Sequence, residues 1–209
     1  MLDCPSPRLE LVGRAAVFQS RLRLSLRRMN DRYDKVAVTL HWILAVGILC
    51  QIALGLYLGE VPRNTPGRTV WVNFHKSVGI TLAVLIFLRL YWRLTHRPPP
   101  LPATMAAWER LAARTNHALL YVCMVGMPLA GYLATNFSRF GIKYFWLVEL
   151  PPWGYEDRQI YAFFQGIHKT LAVIFIVLIA IHVAAALKHV ALDRDGILRR
   201  MWFGRSQAV

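Results

Sequence analysis

Histidine is the residue type best placed for chemistry in this chain, because most of its seven histidines lie within or beside long apolar stretches. An ionisable side chain inside a bilayer is costly and marks a functional site by default, and imidazole is the commonest metal ligand in proteins. His168 and His182 are 14 residues apart, which in a helix corresponds to about 3.9 turns and about 21 Å of rise. Their side chains would therefore share one helix face, with one near each end of the helix.

The composition indicates that transmembrane helices carry these histidines. Hydrophobic residues make up 56% and charged residues 17% of the 209 residues, whereas soluble proteins have about 45–50% and about 25%. Uncharged stretches at 36–59, 115–138 and 170–187 are each long enough to cross a bilayer. A further span contains Lys76 and Arg89, whose long side chains can reach the membrane surfaces. We predict an all-α membrane four-helix bundle with spans at about 36–58, 75–94, 115–135 and 168–188.

The positive charges set the expected orientation. Eighteen Lys and Arg residues fall in the N-terminal segment, in the loop between the second and third spans together with the end of the second span, and in the C-terminal segment, against seven on the other side. Because cytoplasmic loops carry the excess of positive residues, we expect both termini in the cytoplasm. A formal charge of +14 would suggest nucleic acid as a partner of a soluble protein. Here the charge is explained by orientation, so no nucleic-acid partner is expected.

Outside the spans, the chain divides into a basic arm over residues 1–28, a four-helix domain over 29–203 and a tail over 204–209. The arm has no apolar run typical of a secretory signal. Two alternatives stay open for it. It is a basic segment that lies on anionic lipid, or it results from the choice of start codon, since Met29 directly precedes the first span.

The orientation pairs the histidines by depth. His41 lies near the inner end of the first span, and His75 near the outer end of the second. The last span runs inward, so His168 is outer and His182 is inner. The predicted pairs are His41 with His182 and His75 with His168. Two such bis-histidine sites are the arrangement of a di-haem b-type cytochrome, with each haem between helices of the bundle.

Side-chain packing and zinc binding are the alternatives to haem ligation for these histidines. A single membrane histidine is more often a hydrogen-bonded packing residue than a ligand, but coincidence does not readily pair four of them by depth. A structural zinc ion needs four nitrogen or sulfur ligands around one point, and these histidines are divided between two membrane surfaces. Covalent c-type haem attachment is excluded because no Cys-x-x-Cys-His motif occurs.

These residues and their flanks resemble the bacterial cytochrome b561 family. The similarity covers about Met29 to Phe203, and the chain departs from the family in its long arm over residues 1–28. The matching stretches are Tyr33–Trp42, Asn73–Gly79, Arg89–Leu94, Asn116–Tyr121, Met127–Gly131 and His182–His189.

The resemblance implies two non-covalent b haems with His41, His75, His168 and His182 as axial ligands. It also implies electron transfer in the bacterial inner membrane, with quinone as the lipid-side partner. Some family members resemble superoxide-to-quinone oxidoreductases, so superoxide is one candidate for a donor at the outer face, alongside a periplasmic redox protein. Related cytochromes anchor hydrogenases and dehydrogenases. The alternative function is therefore a non-catalytic cytochrome b subunit that connects a partner enzyme to the quinone pool.

Further residues are candidates for supporting roles, each with a simpler alternative. Lys76 and Lys169 each follow an outer ligand, and either pair with haem propionates, attract an anion, or anchor helix ends. Gly55 and Gly79 share helix faces with ligand histidines, and either leave room for a haem or pack helices. Arg89 and His189 form a candidate quinone site at the inner end. Arg89 pairs with a haem propionate or a quinone carbonyl, or else anchors the helix, and His189 relays a proton to reduced quinone, or else is a surface histidine. His117 either bonds to a propionate or packs in the core or at the interface.

A third class of function is a haem-free, histidine-rich transporter or receptor. A reduced-minus-oxidised absorption spectrum separates this class from the two cytochrome functions, because only a haem protein gives the α and β bands.

The charge asymmetry makes the topology testable with fusion proteins. We expect alkaline phosphatase to be inactive when fused to the C-terminus and active when inserted near Gly154, because the enzyme works only outside the cytoplasm. The opposite pattern would invert the topology and exchange the compartments that the two histidine pairs face.

Overall fold

The computed structural model describes residues 18–19, 32–101 and 105–203. The arm over residues 1–28, apart from Phe18 and Gln19, and the tail over 204–209 therefore lie outside the described residues. The prediction of an all-α bundle is confirmed, since four helices are long and apolar enough to cross a membrane. In chain order, the elements are α1 (Lys35–Glu60), α2 (Arg68–Thr95), α3 (Ala107–Asn136), β1 (Ile142–Tyr144), β2 (Val148–Leu150) and α4 (Arg158–Lys188).

The helices extend beyond the predicted spans, most clearly where charged residues begin or end them. Helix α2 begins at Arg68 and α4 at Arg158, about two turns or more before the predicted boundaries. Charge-free stretches mark only the part of a helix that lies in hydrocarbon. The remaining turns can carry charge because they lie at the depth of the lipid headgroups.

A compact apolar layer lies at mid-height in the bundle. Every helix contributes two residues to it, and Leu44 and Phe175 are each only 2% exposed. The layer consists of Leu44, Ile48, Leu82, Ile86, Cys123, Met124, Phe175 and Leu178. The opposite helix faces present exposed apolar side chains such as Val177 and Ile181. A helix that is apolar all round is suited to lipid rather than water. The layer itself separates the two ends of the bundle with dry side-chain packing.

Asp34 starts helix α1 and ties it to α2. Its carboxylate accepts the backbone N–H of Ala37 at 2.9 Å, which caps the helix, and it also accepts the indole N–H of Trp92 at 3.0 Å. Partial burial by itself raises the pKa of the Asp34 carboxyl. The hydrogen bonds from Trp92 and from the backbone outweigh burial, so the pKa lies below its usual value.

The connection between α3 and α4 lies at the end of the bundle that the sequence predicts to be outer, and this end is called outer below. It contains a short β-hairpin that the helical pattern did not predict. Strands β1 and β2 pair antiparallel, with Lys143 opposite Glu149. Phe145 and Trp146 make the turn with φ of 45° and 61°. Tight hairpin turns of this kind usually use Asn or Gly because other residues are strained at positive φ. Bulky aromatic residues at both positions therefore need support from outside the turn.

Helix α2 supplies that support through polar residues spaced four apart. The Asn73 side-chain amide accepts the N–H of Lys143 at 2.9 Å and donates to the Lys143 carbonyl, so it substitutes for a neighbouring strand. The Ser77 hydroxyl accepts the N–H of Phe145 at 2.9 Å. Thr81 and Tyr144 join their hydroxyls at 3.0 Å. These contacts fix the hairpin over the outer part of α2, next to His75.

The C-terminal segment closes the opposite end of the bundle, which the sequence predicts to be inner and which is called inner below. After α4 the chain makes a π-helical turn over His189–Asp193 and a 3₁₀ turn over Leu198–Met201. Trp42 donates its indole N–H to the Met201 carbonyl at 2.7 Å, and its ring packs edge-on against Trp202. The segment is thereby held beside the residue that follows His41.

The hairpin attachment predicts a local effect of Asn73→Ala. The substitution removes both side-chain bonds to Lys143, which we expect to weaken hairpin docking by about 1–3 kcal/mol. Trypsin should then cut after Lys143 several-fold faster in detergent-solubilised protein, as followed by mass spectrometry of the fragments. The control is Asn64→Ala, which alters an exposed asparagine in the α1–α2 connection. Equal cleavage rates in both variants would show that Asn73 does not hold the hairpin.

Candidate haem sites

The structure brings the four candidate histidines together in the two predicted pairs. The ring centroids of His41 and His182 are 6.2 Å apart, with the ring planes at 67°. Those of His75 and His168 are 6.3 Å apart, with the planes at 82°. Helix α4 contributes one histidine to each pair, while α1 supplies the inner partner and α2 the outer partner.

The two separations suit one metal ion between each pair of rings. Metal–imidazole bonds are about 2.0–2.1 Å long, so two rings that bind one ion from opposite sides have centroids about 6 Å apart. Haem iron takes axial histidine ligands in this way. The residues present therefore fit two b haems, with one bis-histidine site at each end of the bundle.

His168 is oriented as a ligand would be. The proton on its Nδ1 has an acceptor in the Met127 carbonyl at 2.8 Å, across the α3–α4 contact. Ligand histidines usually donate the second ring N–H in this way, which fixes the tautomer and leaves Nε2 to bind the metal. Gly131 makes the approach possible, since a Cβ at this position would lie 3.0 Å from the same Nδ1. Sequence reasoning assigned no role to Gly131, although it ends one of the stretches that carry the family resemblance.

His75 has an unpaired ring nitrogen. Its Nδ1 is buried and has no hydrogen-bond partner among the described residues. Buried polar atoms are normally paired, so an orphaned imidazole nitrogen beside a metal-sized gap suits a bound group at this position. Gly55 lies against this ring, with its Cβ position 3.4 Å from the His75 Cε1. Gly79 lies instead against Gln51, which donates to the His75 carbonyl at 2.8 Å.

Arg89 lies beside the inner pair. It donates to the Ala37 carbonyl at 3.0 Å and contacts Nδ1 of His41 at 3.2 Å. A guanidinium can only donate, so this contact requires a lone pair on Nδ1 and places the neutral ring's proton on Nε2. Binding of iron at Nε2 would move that proton to Nδ1 and end the donation. The bond to Ala37 would still keep the positive charge next to His41.

A third histidine joins the inner end of the bundle. His117, at the start of the apolar part of α3, has its ring centroid 5.3 Å from that of His182. The sequence favoured packing over a propionate contact for this residue. The structure places it close enough to take part in the inner site, and the adjacent Asn116 has a buried side-chain oxygen without a partner among the described residues.

The two outer lysines lie in different environments. Lys76 is half-buried and its Nζ is 3.4 Å from the Gly141 carbonyl below the hairpin. Lys169 is exposed on α4. Both follow an outer-pair histidine in sequence, so one partly buried and one exposed positive charge lie near this end of the bundle.

His189 is held in a carboxylate cluster at the inner surface. Its Nδ1 lies 3.0 Å from an Asp193 oxygen and 2.7 Å from an Asp195 oxygen, although neither contact has hydrogen-bond geometry. Lys188 bonds to Asp193 at 2.8 Å and to Glu109 at 2.7 Å. The sequence paired His189 with Arg89 as a candidate quinone site, and the structure gives each of them its own set of partners.

Comparison with known proteins finds relatives that cover most of the chain. The family described as "Prokaryotic cytochrome b561" matches residues 32–204 of the chain. "Cytochrome b561 homolog 2" of Escherichia coli (strain K12) is 32% identical over 88% of this chain and 98% of its own length. "Cytochrome b561 homolog 1" of the same organism is 30% identical over 82% and 97%. "Probable superoxide oxidase CybB" of Yersinia pestis is 22% identical over 83% and 97%.

The pairing predicts selective loss of one haem. His41→Ala should remove the inner haem and leave most of the outer one, because only the inner pair loses a ligand. The haem b content measured by the pyridine haemochrome assay should therefore fall from two per chain to about one. His96→Ala, which removes an exposed histidine stacked on Trp92, should keep both haems. A single haem in the unaltered protein, or two in His41→Ala, would contradict the pairing.

Proposed function

This chain belongs to the prokaryotic cytochrome b561 family, and we propose that it carries electrons across the membrane between two b haems, from a donor at the outer face to membrane quinone. The observation that carries the proposal is the near-equal separation of the two histidine pairs, 6.2 and 6.3 Å, at opposite ends of one bundle. Bound haem supplies one-electron chemistry at each site.

The residues of the chain have three tasks in this function. His41 and His182 bind the inner iron, and His75 and His168 the outer iron. The apolar layer between the pairs, which includes Phe175, excludes water from the centre of the bundle. A dry, low-dielectric interior strengthens the effect of the charges that lie beside each site.

For the outer face we propose superoxide as a donor. Superoxide is an anion, and Lys76 and Lys169 attract anions to the end of the bundle that holds His75 and His168. Two superoxide ions each lose one electron to give dioxygen, and one quinone takes up the two electrons with two protons to give the quinol. The relative from Yersinia pestis named as a probable superoxide oxidase supports this choice of donor.

For the inner face we propose the quinone site, near Arg89 and His189. Reduction of a quinone needs protons from the aqueous phase, and imidazole accepts and releases protons near neutral pH. The carboxylates of Asp193 and Asp195 lie 3.0 and 2.7 Å from Nδ1 of His189 and provide further proton-binding groups at the surface. With both termini in the cytoplasm, these protons come from the cytoplasmic side.

A second candidate function is that of a cytochrome b subunit attached to a dehydrogenase or hydrogenase at the outer face. The exposed apolar side chains of the outer connection favour this candidate, since Leu147 is 83% and Trp153 62% exposed. Large exposed apolar patches often mark protein or membrane contacts. Purification of the chain alone with full superoxide-dependent quinone reduction would favour the first function over this one.

The lysines provide the test of the superoxide proposal. Purified protein in liposomes with quinone is supplied with superoxide, and quinol formation is measured. In Lys76→Gln/Lys169→Gln, we expect a several-fold lower rate and a lower reduction potential of the outer haem, because positive charge attracts the anion and stabilises the reduced haem. The rate of the unaltered protein should also fall as salt screens the charges.

Lys143→Gln/Glu149→Gln is the matched control on the same face. The Lys143 ammonium pairs with Glu149 at 2.7 Å, and this hydrogen bond lowers the pKa of the Glu149 carboxyl. The double substitution removes this ion pair and leaves the net charge of the outer face unchanged. The control should therefore keep most of the rate. A rate that depends on neither the two lysines nor ionic strength would reject superoxide as the donor.

A further inference from the structure

The contacts of the second ring nitrogen differ between the two histidine pairs. In the outer pair, His168 donates from Nδ1 to the Met127 carbonyl at 2.8 Å. In the inner pair, Nδ1 of His41 faces the Arg89 guanidinium at 3.2 Å. The second ring nitrogen of His168 therefore faces a carbonyl that accepts its proton, whereas that of His41 faces the positive charge of a guanidinium.

These contacts act in opposite directions on a bound iron. An acceptor for the Nδ1 proton makes the imidazole a stronger electron donor, which stabilises the oxidised iron and lowers the reduction potential. A cation beside the ring favours the reduced site, which carries one positive charge less, and so raises the potential. Because the interior has a low dielectric, a contact of a few ångströms has a large effect.

We propose that Arg89 and Gly131 set the inner haem at a higher reduction potential than the outer haem, Arg89 by placing its charge against His41 and Gly131 by admitting the His168 bond to Met127. This inference rests on the proposed function, because it takes the two histidine pairs as haem ligands. It adds a direction: an electron from the outer face is held more strongly at the inner site.

The Arg89 charge is fixed rather than mobile. Its hydrogen bond to the Ala37 carbonyl at 3.0 Å joins α2 to the first turn of α1, so the guanidinium stays beside His41 when the ring binds iron. Arg89 is only partly exposed. A charge held in this position is screened by water much less than a surface charge.

The two outer lysines oppose the difference without removing it. Lys169 is exposed, so water and salt screen its charge. Lys76 is directed to the Gly141 carbonyl at 3.4 Å, and no contact among the described residues joins it to either outer histidine ring. The outer site, as far as the structure describes it, therefore lacks a cation in direct contact with a ligand, and the ring of His168 retains its acceptor.

Redox titration followed by absorption spectroscopy tests the inference without an activity assay. The unaltered protein should show two waves, and the single wave left in His41→Ala should be the lower of the two. The pyridine haemochrome assay runs beside every variant. A protein without two haems would overturn the proposed function itself, whereas two haems whose lower wave belongs to the inner site would overturn only this inference.

Arg89 is tested by removing and then restoring its charge. Arg89→Gln should move the higher wave to a lower potential and leave the lower wave in place. Arg89→Lys should restore most of the original potential of the higher wave. Arg93→Gln removes the same charge one turn further along α2 and should shift the higher wave less. Equal shifts in Arg89→Gln and Arg93→Gln, or no recovery in Arg89→Lys, would overturn the assignment of Arg89.

Gly131 is tested by adding one methyl group. In Gly131→Ala the new Cβ lies 3.0 Å from Nδ1 of His168 and 3.1 Å from its Cε1, so the ring must shift and its hydrogen bond to Met127 is weakened. The wave at lower potential, which belongs to the outer haem, should then move to a higher potential. Gly126→Ala is the control on the same helix, because its Cβ would meet only the flexible end of Leu171 at 3.2 Å. An unchanged lower wave in Gly131→Ala with both haems bound would overturn the role of Gly131. If that variant loses the outer haem, the Arg89 series still decides the order of the two potentials.

Discussion

The 14-residue separation of two histidines on helix α4 is the constraint on which the rest of the structure depends. It places one metal-binding ring at each end of a single helix, on one face. Each ring needs a partner whose centroid lies about 6 Å away, and an antiparallel order of helices brings His41 to the inner ring and His75 to the outer one. The apolar layer then fills the space between the two levels, since only dry side-chain packing stabilises this depth of a membrane protein.

Closing the two ends requires polar groups that are satisfied within the protein. At the outer end, Asn73 replaces a missing strand for the hairpin. At the inner end, Trp42 donates to the carbonyl of Met201 in the C-terminal segment. Both residues lie within a few positions of a candidate ligand histidine. The contacts that close each end therefore also fix the turn of helix that carries that histidine.

The helices and the pairing of the histidines were predictable, because uncharged length, charge asymmetry and helical spacing are properties of the sequence alone. The hairpin was not, since Phe145 and Trp146 make a turn that normally uses Gly or Asn and depend on Ser77 for support. The role of Gly131 was also hidden. It arises from the contact between α3 and α4, and no local pattern shows which carbonyl His168 will reach.

The four candidate ligands are chemically identical, so they cannot by themselves make one end of the bundle differ from the other. A difference between the two sites has to come from the groups around these histidines, and the strongest effects come from groups that contact them directly. Here those groups belong to helices α2 and α3, namely the Arg89 guanidinium at the inner pair and the Met127 carbonyl at the outer pair. A nearly symmetric ligand set can therefore support directional transfer, provided that the helix contacts around it are asymmetric.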